Sequence, residues 1–209
     1  MAQQLPLKLL SVVCVLLVIA LAGPAWEKEP SPFGEDHSDL VIVLDVSASM
    51  QEKDVAPSRL ELAKYKLQDL LAKRGGGRTA LVVYAGSAHI AMPLTLDTQV
   101  FTPLLDAISP NIMPREGKFL SKAIPLVEQL SRESLAMTVL VVSDAADKHD
   151  VTAFSDFAGR NSHHLLVWGM GNEEREAAIP FEPDSLMHWR RQTAVIFKPL
   201  RWITAMSIR

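Results

Sequence analysis

The hydrophobic residues of this chain fall into one long uncharged stretch, followed by short apolar runs that alternate with amphipathic segments. Residues 9–26 read LLSVVCVLLVIALAGPAW and carry no charge. A membrane-spanning helix needs about 17–25 apolar residues, so this stretch predicts a transmembrane anchor. Further on, Leu40-Val41-Ile42-Val43-Leu44, Ala80-Leu81-Val82-Val83-Tyr84, Thr138-Val139-Leu140-Val141-Val142 and Leu165-Leu166-Val167-Trp168 are unbroken apolar runs. Runs of this kind mark strands buried on both faces. Between them, Leu60, Ala63, Leu67, Leu70 and Leu71 recur at helical spacing after Pro57, and Gly75-Gly76-Gly77 is expected to stop that helix. Residues 88–92 predict a short edge strand, 98–108 a helix with Thr98 near its cap, and 151–158 a helix stopped by Gly159. Residues 118–130 predict another helix, in which Pro125 either introduces a kink or places the first turn late. A short strand is expected at 195–197.

Apolar strands alternating with amphipathic helices imply an α/β fold: a Rossmann-like, mostly parallel sheet flanked by helices. Here one N-terminal transmembrane helix precedes it. The expected organisation is a cytoplasmic N-terminus at 1–8, an anchor at 9–26, a linker at 27–38, the α/β domain at 39–183 and a C-terminal extension at 184–209. The extension reads as a frayed C-terminal end. Lys8 precedes the apolar stretch, and Glu27, Glu29, Glu35 and Asp36 follow it. The positive-inside rule then places the N-terminus in the cytoplasm and the domain outside. Ala20-Leu21-Ala22 also fits a signal-peptidase site, and a cleaved leader exports the domain equally well. Pro30, Pro32 and Gly34 among charges give 27–38 the character of a polar linker.

Charge and composition narrow the function. The 209 residues carry a net charge of −3 and no basic run, so the electrostatic footprint of nucleic-acid binding is absent. A single cysteine, Cys14, lies in the apolar stretch; it permits neither an intrachain disulfide nor a cysteine-built zinc site. The sequence has no phosphate-loop pattern around Gly75-Gly76-Gly77, no nucleophile elbow and no His-Glu-x-x-His pair. His163-His164 falls at a strand start, opposite the end where such sheets bind ligands. Asp54, Arg59 and Glu61 read as capping and surface charges around a helix start.

Two acidic residues stand at the carboxyl ends of predicted strands, Asp45 and Asp144. Ser47 and Ser49 follow Asp45 at alternate positions and can project from one side of a loop. Carboxylate and hydroxyl oxygens suit Mg²⁺, Mn²⁺ or Ca²⁺. Serines at such positions also commonly satisfy turn and cap groups.

Asp45-Val46-Ser47-Ala48-Ser49 matches the Asp-x-Ser-x-Ser metal-ion-dependent adhesion motif of von Willebrand factor A domains. The segments DVAPSRLELAKYKLQDLL, LVVYAGSAHIAMPLTLDTQVFTPLLDAISPNIMP and VWGMGNEEREAAIP resemble bacterial aerotolerance-operon (Bat-type) membrane proteins, and the likeness runs over about residues 16–183. The resemblance implies a non-enzymatic protein–protein interaction module in the bacterial inner membrane, single-pass, with its domain facing the periplasm or cell exterior. It implies Asp45, Ser47, Ser49 and Asp144 as ligands of Mg²⁺, Mn²⁺ or Ca²⁺. It also implies partners among related A-domain proteins and tetratricopeptide-repeat proteins, and a link to a MoxR-type AAA ATPase.

The sequence departs from the pattern at Lys118, where the family has a threonine, and at Ala145, where it usually has glycine. Two outcomes are open for Lys118, which lies where a ligand is expected. Its ammonium swings to solvent, or it reaches Asp45 and Asp144 and stands in for the metal. Alternative functions are a metal-dependent hydrolase, for which His149 is the nearest candidate base, and a domain with only a structural role.

Overall fold

The structure is a computed structural model and describes residues 38–74, 76–132, 134, 137–161 and 163–172. The expected cytoplasmic N-terminus at 1–8, the anchor at 9–26, the linker at 27–37, the strand at 195–197 and the extension at 184–209 lie outside these residues. Five strands form one sheet: β1 (Asp39–Asp45), β2 (Thr79–Tyr84), β3 (Ala88–Thr95), β4 (Met137–Ser143) and β5 (His164–Gly169). Their spatial order is β3-β2-β1-β4-β5. All pairings are parallel except that of β2 with β3, which is antiparallel and irregular in register.

The unbroken apolar runs become the central strands because both faces are covered. Every residue of β1, β2 and β4 is buried. Side chains alternate between faces. Val41, Val43, Val82, Val139, Val141, Leu165 and Val167 share one cluster with Leu120, Val127, Phe154 and Phe157. That face is covered by α3 (Ile124–Ser131) and α4 (Lys148–Asn161). The buried residues of α1 (Arg59–Lys73) and α2 (Phe101–Ala107), such as Leu60, Leu67, Phe101 and Leu105, lie outside that cluster. By the same alternation they serve the opposite face, where Leu40, Ile42 and Leu44 point.

Several element ends differ from the sequence expectation. The helix after Pro57 is capped by Ser58, whose side chain accepts from the Glu61 N–H, and it ends at Lys73, before the glycines. β3 extends to Thr95 and carries Pro93, which an edge strand tolerates. The helix expected at 98–108 opens as a 3-10 turn capped by the Asp97 carboxylate, not by Thr98. The segment after Lys118 forms a 3-10 turn at Leu120–Ala123, and α3 starts at Ile124 with Pro125 in its first turn. Of the two readings of Pro125, the late first turn is the one realised. Gly159 does not stop α4, which runs through it to Asn161.

β1 leads through α1 to β2 on one side, while β4 lies on its other side. The order of strands therefore reverses between β1 and β4. A crevice opens at such a switch point outside the carboxyl ends of the strands. Asp45 ends β1 and Asp144 directly follows β4.

Candidate functional site

Three segments meet at this switch point. The first is the turn after β1. The Asp45 Oδ1 accepts from the Ser47 N–H at 2.9 Å, which folds the loop back and brings Ser47 Oγ within 3.1 Å of Ser49 Oγ. The second is the end of β4. Ser143 Oγ donates to Asp45 Oδ2 at 2.7 Å, and Ser49 Oγ donates to Asp144 Oδ1 at 3.2 Å. These bonds cross-link the ends of adjacent parallel strands. Asp45, Ser47, Ser49 and Asp144 are thus brought together as the sequence suggested, and all are buried.

The third segment carries Lys118. Gly86 N–H donates to the Arg115 carbonyl at 3.0 Å and Phe119 N–H to the Ala85 carbonyl at 2.9 Å, so the loop after β2 grips the 115–119 segment. A Cβ at Gly86 would lie 2.0 Å from the Glu116 carbonyl oxygen, so this approach requires glycine. Gly117 adopts φ 126°, a left-handed conformation that side chains disfavour. Asp150, buried at the start of α4, accepts from the Leu120 N–H at 3.1 Å and the Ser121 N–H at 3.0 Å. A carboxylate at the start of the 3-10 turn satisfies donors that otherwise lack partners.

Held in this way, Lys118 does not swing to solvent. Its Nζ lies 2.9 Å from Asp45 Oδ2 and 3.1 Å from Ser49 Oγ, and it forms a third contact with Asp144 Oδ1. Burial alone would lower its pKa, but the neighbouring Asp45 and Asp144 carboxylates outweigh burial and raise it. Lys118 is therefore an ammonium.

A residue the sequence reading set aside completes the site. Arg59 was expected at the surface; instead it is fully buried. Its Nε and Nη2 form a fork on Asp54 at 2.8 and 3.1 Å, while Nη1 reaches Asp144 Oδ2 at 2.6 Å and the Ser49 carbonyl at 3.3 Å. Asp54, also buried, takes a further bond from the Asn172 N–H at 2.6 Å, beyond β5. Burial disfavours the Arg59 charge, yet Asp54 and Asp144 more than offset this and raise its pKa. Glu61, by contrast, is a partly exposed partner of Lys64 at 2.6 Å.

The remaining candidates take minor places. His149 is exposed on the first turn of α4, where its N–H donates to Asp147 Oδ1 at 2.8 Å. Among the described residues the Asp144 carboxylate is bonded to Ser49, Arg59 and Lys118, none of them a histidine. His164 begins β5 and is exposed. The Tyr84 hydroxyl is fully buried near the Ser143 hydroxyl, short of a hydrogen bond.

The oxygens of Asp45, Ser49 and Asp144 form a hard donor set, but as arranged they do not fit a divalent ion. An ammonium already stands among them, and a metal would have to displace it.

Fold and crevice together define an open-sheet α/β domain with a polar site at its topological switch point. A family model described as von Willebrand factor type A domain matches residues 40–149, more than half of the chain, and the chain belongs to that family. An uncharacterized protein from Borreliella burgdorferi is 29% identical over 143 residues, which cover 68% of this chain and 42% of that protein. A UPF0353 protein from Nocardia farcinica is 30% identical over 131 residues, 62% of this chain and 38% of that protein. The chain thus matches only about two fifths of these relatives' length. Among solved structures, an aerotolerance-related membrane protein from Bacteroides fragilis has a TM-score of 0.70 at 22% identity, over 78% of this chain and 91% of that one. BatB from Bacteroides thetaiotaomicron has a TM-score of 0.68 at 21% identity, over 81% and 95% of the two chains. The resemblance to Bat-type proteins read from the sequence is met by these neighbours, and the expected mostly parallel sheet with flanking helices is the fold observed.

Proposed function

We propose that this chain is a membrane-anchored binding module of the bacterial cell envelope, which engages another envelope protein through the crevice between β1 and β4. The observation that carries this reading is the gathering of Asp45, Ser47, Ser49, Lys118 and Asp144 from three separate segments at the switch point. A half-exposed aromatic, Phe119, lies directly beside Lys118, with the Lys122 ammonium 4.4 Å from its ring centre. An exposed aromatic next to a polar crevice is the kind of anchor that protein interfaces use. No catalytic step is assigned, because the buried carboxylates of the crevice are each bonded to a cation and, among the described residues, no histidine joins them.

The anchor rests on the uncharged stretch at 9–26. Among the described residues no helix is long and apolar enough to cross a membrane. The Bacteroides fragilis neighbour is named a membrane protein, which accords with this placement. Partners are other envelope proteins, with A-domain and tetratricopeptide-repeat proteins as the classes that the family resemblance suggests.

The test is cross-linking in intact cells followed by capture of the full chain. Ala48→Glu and Phe119→Glu alter exposed rim positions without touching the buried network. An envelope protein recovered with the wild type and lost with both variants supports the reading; recovery unchanged by both sinks it.

A further inference from the structure

We propose that Lys118 is the resident cation of this crevice, holding the place of a divalent ion, so that the site is built to work without metal. An ammonium has three N–H donors and no acceptor. Here the three meet Asp45 Oδ2, Ser49 Oγ and Asp144 Oδ1. Each of these oxygens is a donor that the adhesion motif would offer to a metal. The ammonium is therefore saturated by the ligand set itself.

The ion pairs divide between the two cations. Asp45, Asp54 and Asp144 bring three negative charges, against two positive ones from Lys118 and Arg59. Arg59 is engaged by Asp54 and by Asp144 Oδ2, while Lys118 is the cation that meets Asp45 Oδ2, Ser49 Oγ and Asp144 Oδ1. A Mg²⁺ or Ca²⁺ ion binds oxygen at about 2.0–2.6 Å. Among these same oxygens it would overlap the ammonium and be repelled by it. The lysine is also fixed from both sides, because Arg115 is bonded to Gly86 before it, and Phe119 to Ala85 and Leu120 and Ser121 to Asp150 after it. A tethered cation competes at a high effective concentration against any ion in solution.

The consequence for recognition is specific. A metal at such a site accepts a partner's carboxylate in an open coordination position. The saturated Lys118 ammonium leaves no such position, so a chelator is not expected to release a bound partner. Only this last consequence rests on the recognition reading; the cation itself is tested separately.

The experiment titrates Mn²⁺ into the full chain and reads the free-ion paramagnetic signal and the melting temperature. For the wild type, neither should change. Lys118→Thr should melt at a lower temperature without metal, take up one equivalent of Mn²⁺ and recover its melting temperature as it does so. If Lys118→Thr is recovered unfolded, it should refold once Mn²⁺ is added. The proposal is overturned if the wild type takes up Mn²⁺ and Asp45→Ala abolishes that uptake. It is equally overturned if Lys118→Thr gains no Mn²⁺ site. A failed capture experiment would remove the recognition reading and leave these outcomes intact.

Discussion

Arg59 Nη1 and Asp144 Oδ2 lie 2.6 Å apart, both fully buried or nearly so, although 85 positions separate the two residues. The same guanidinium grips Asp54, so one side chain ties the helix after the first loop to the end of β4. Removing one member of a buried ion pair leaves the other charge uncompensated and typically costs about 3–5 kcal/mol. Arg59→Met is expected to destabilise the fold by about that amount, because it leaves both Asp54 and Asp144 short of a partner. Arg59→Lys keeps the charge but loses the two-pronged fit, and should fall between the two. Urea unfolding measures this, and a loss below about 1 kcal/mol for Arg59→Met would contradict the pairing described.

Asp150 positions Lys118 without touching it. Its carboxylate satisfies the Leu120 and Ser121 N–H groups at the start of the 3-10 turn. Leaving buried donors unpaired costs about 1–3 kcal/mol. Asp150→Ala is expected to lower stability by that order and to speed hydrogen exchange at residues 118–123 more than in β1 and β4. Uniform acceleration across the sheet would instead mean that Asp150 supports the fold as a whole.

The central strands were legible because a strand buried on both faces leaves an unmistakable apolar run. Asp45, Ser47, Ser49 and Asp144 were legible because strand ends at a switch point are fixed by the fold. Lys118 reaches Asp45 and Asp144, one of the two placements its position in the sequence leaves open. Arg59 was not found, since its importance depends on a contact distant in sequence, yet a signal existed. A cation in the first turn of a helix opposes the helix dipole, so its presence there calls for a carboxylate partner, and Asp54 stands five positions earlier. Gly159 misled for a different reason. It sits on an exposed helical face with no neighbour within 4 Å, where the helix runs on through it at the ordinary propensity cost of a glycine.

Two glycines should respond in opposite directions to the same substitution. At Gly86 an added Cβ would meet backbone atoms of Glu116 at 2.0 and 2.6 Å, so the 115–119 segment would have to move. Gly86→Ala is expected to cost about 1–3 kcal/mol, the usual range for overpacking. Gly159→Ala meets nothing and should stabilise α4 by about 0.5–1 kcal/mol through helix propensity. Thermal melts of the two variants should shift to opposite sides of the wild type. A neutral Gly86→Ala would show that the Lys118 loop approaches β2 less closely than described.

At the far end of β1 from the crevice, Asp39 provides a handle on pH. Burial alone would raise its pKa, but the Arg78 side chain, bonded at 2.5 and 3.0 Å, and the Ser134 hydroxyl outweigh burial, and the carboxyl is held below its ordinary value of 3.8. A carboxylate with a lowered folded-state pKa stabilises the fold fully above its unfolded pKa, and this contribution disappears as pH falls through the folded value. The Asp39 contribution is therefore present from neutral pH down to about pH 4 and is lost below it. Asp39→Asn cannot titrate and should be less stable than the wild type at neutral pH, with the gap closing below about pH 4. Denaturant unfolding of the two chains across that range measures the gap directly. A constant difference between them at every pH would mean that Asp39 contributes through its hydrogen bonds alone and not through its charge.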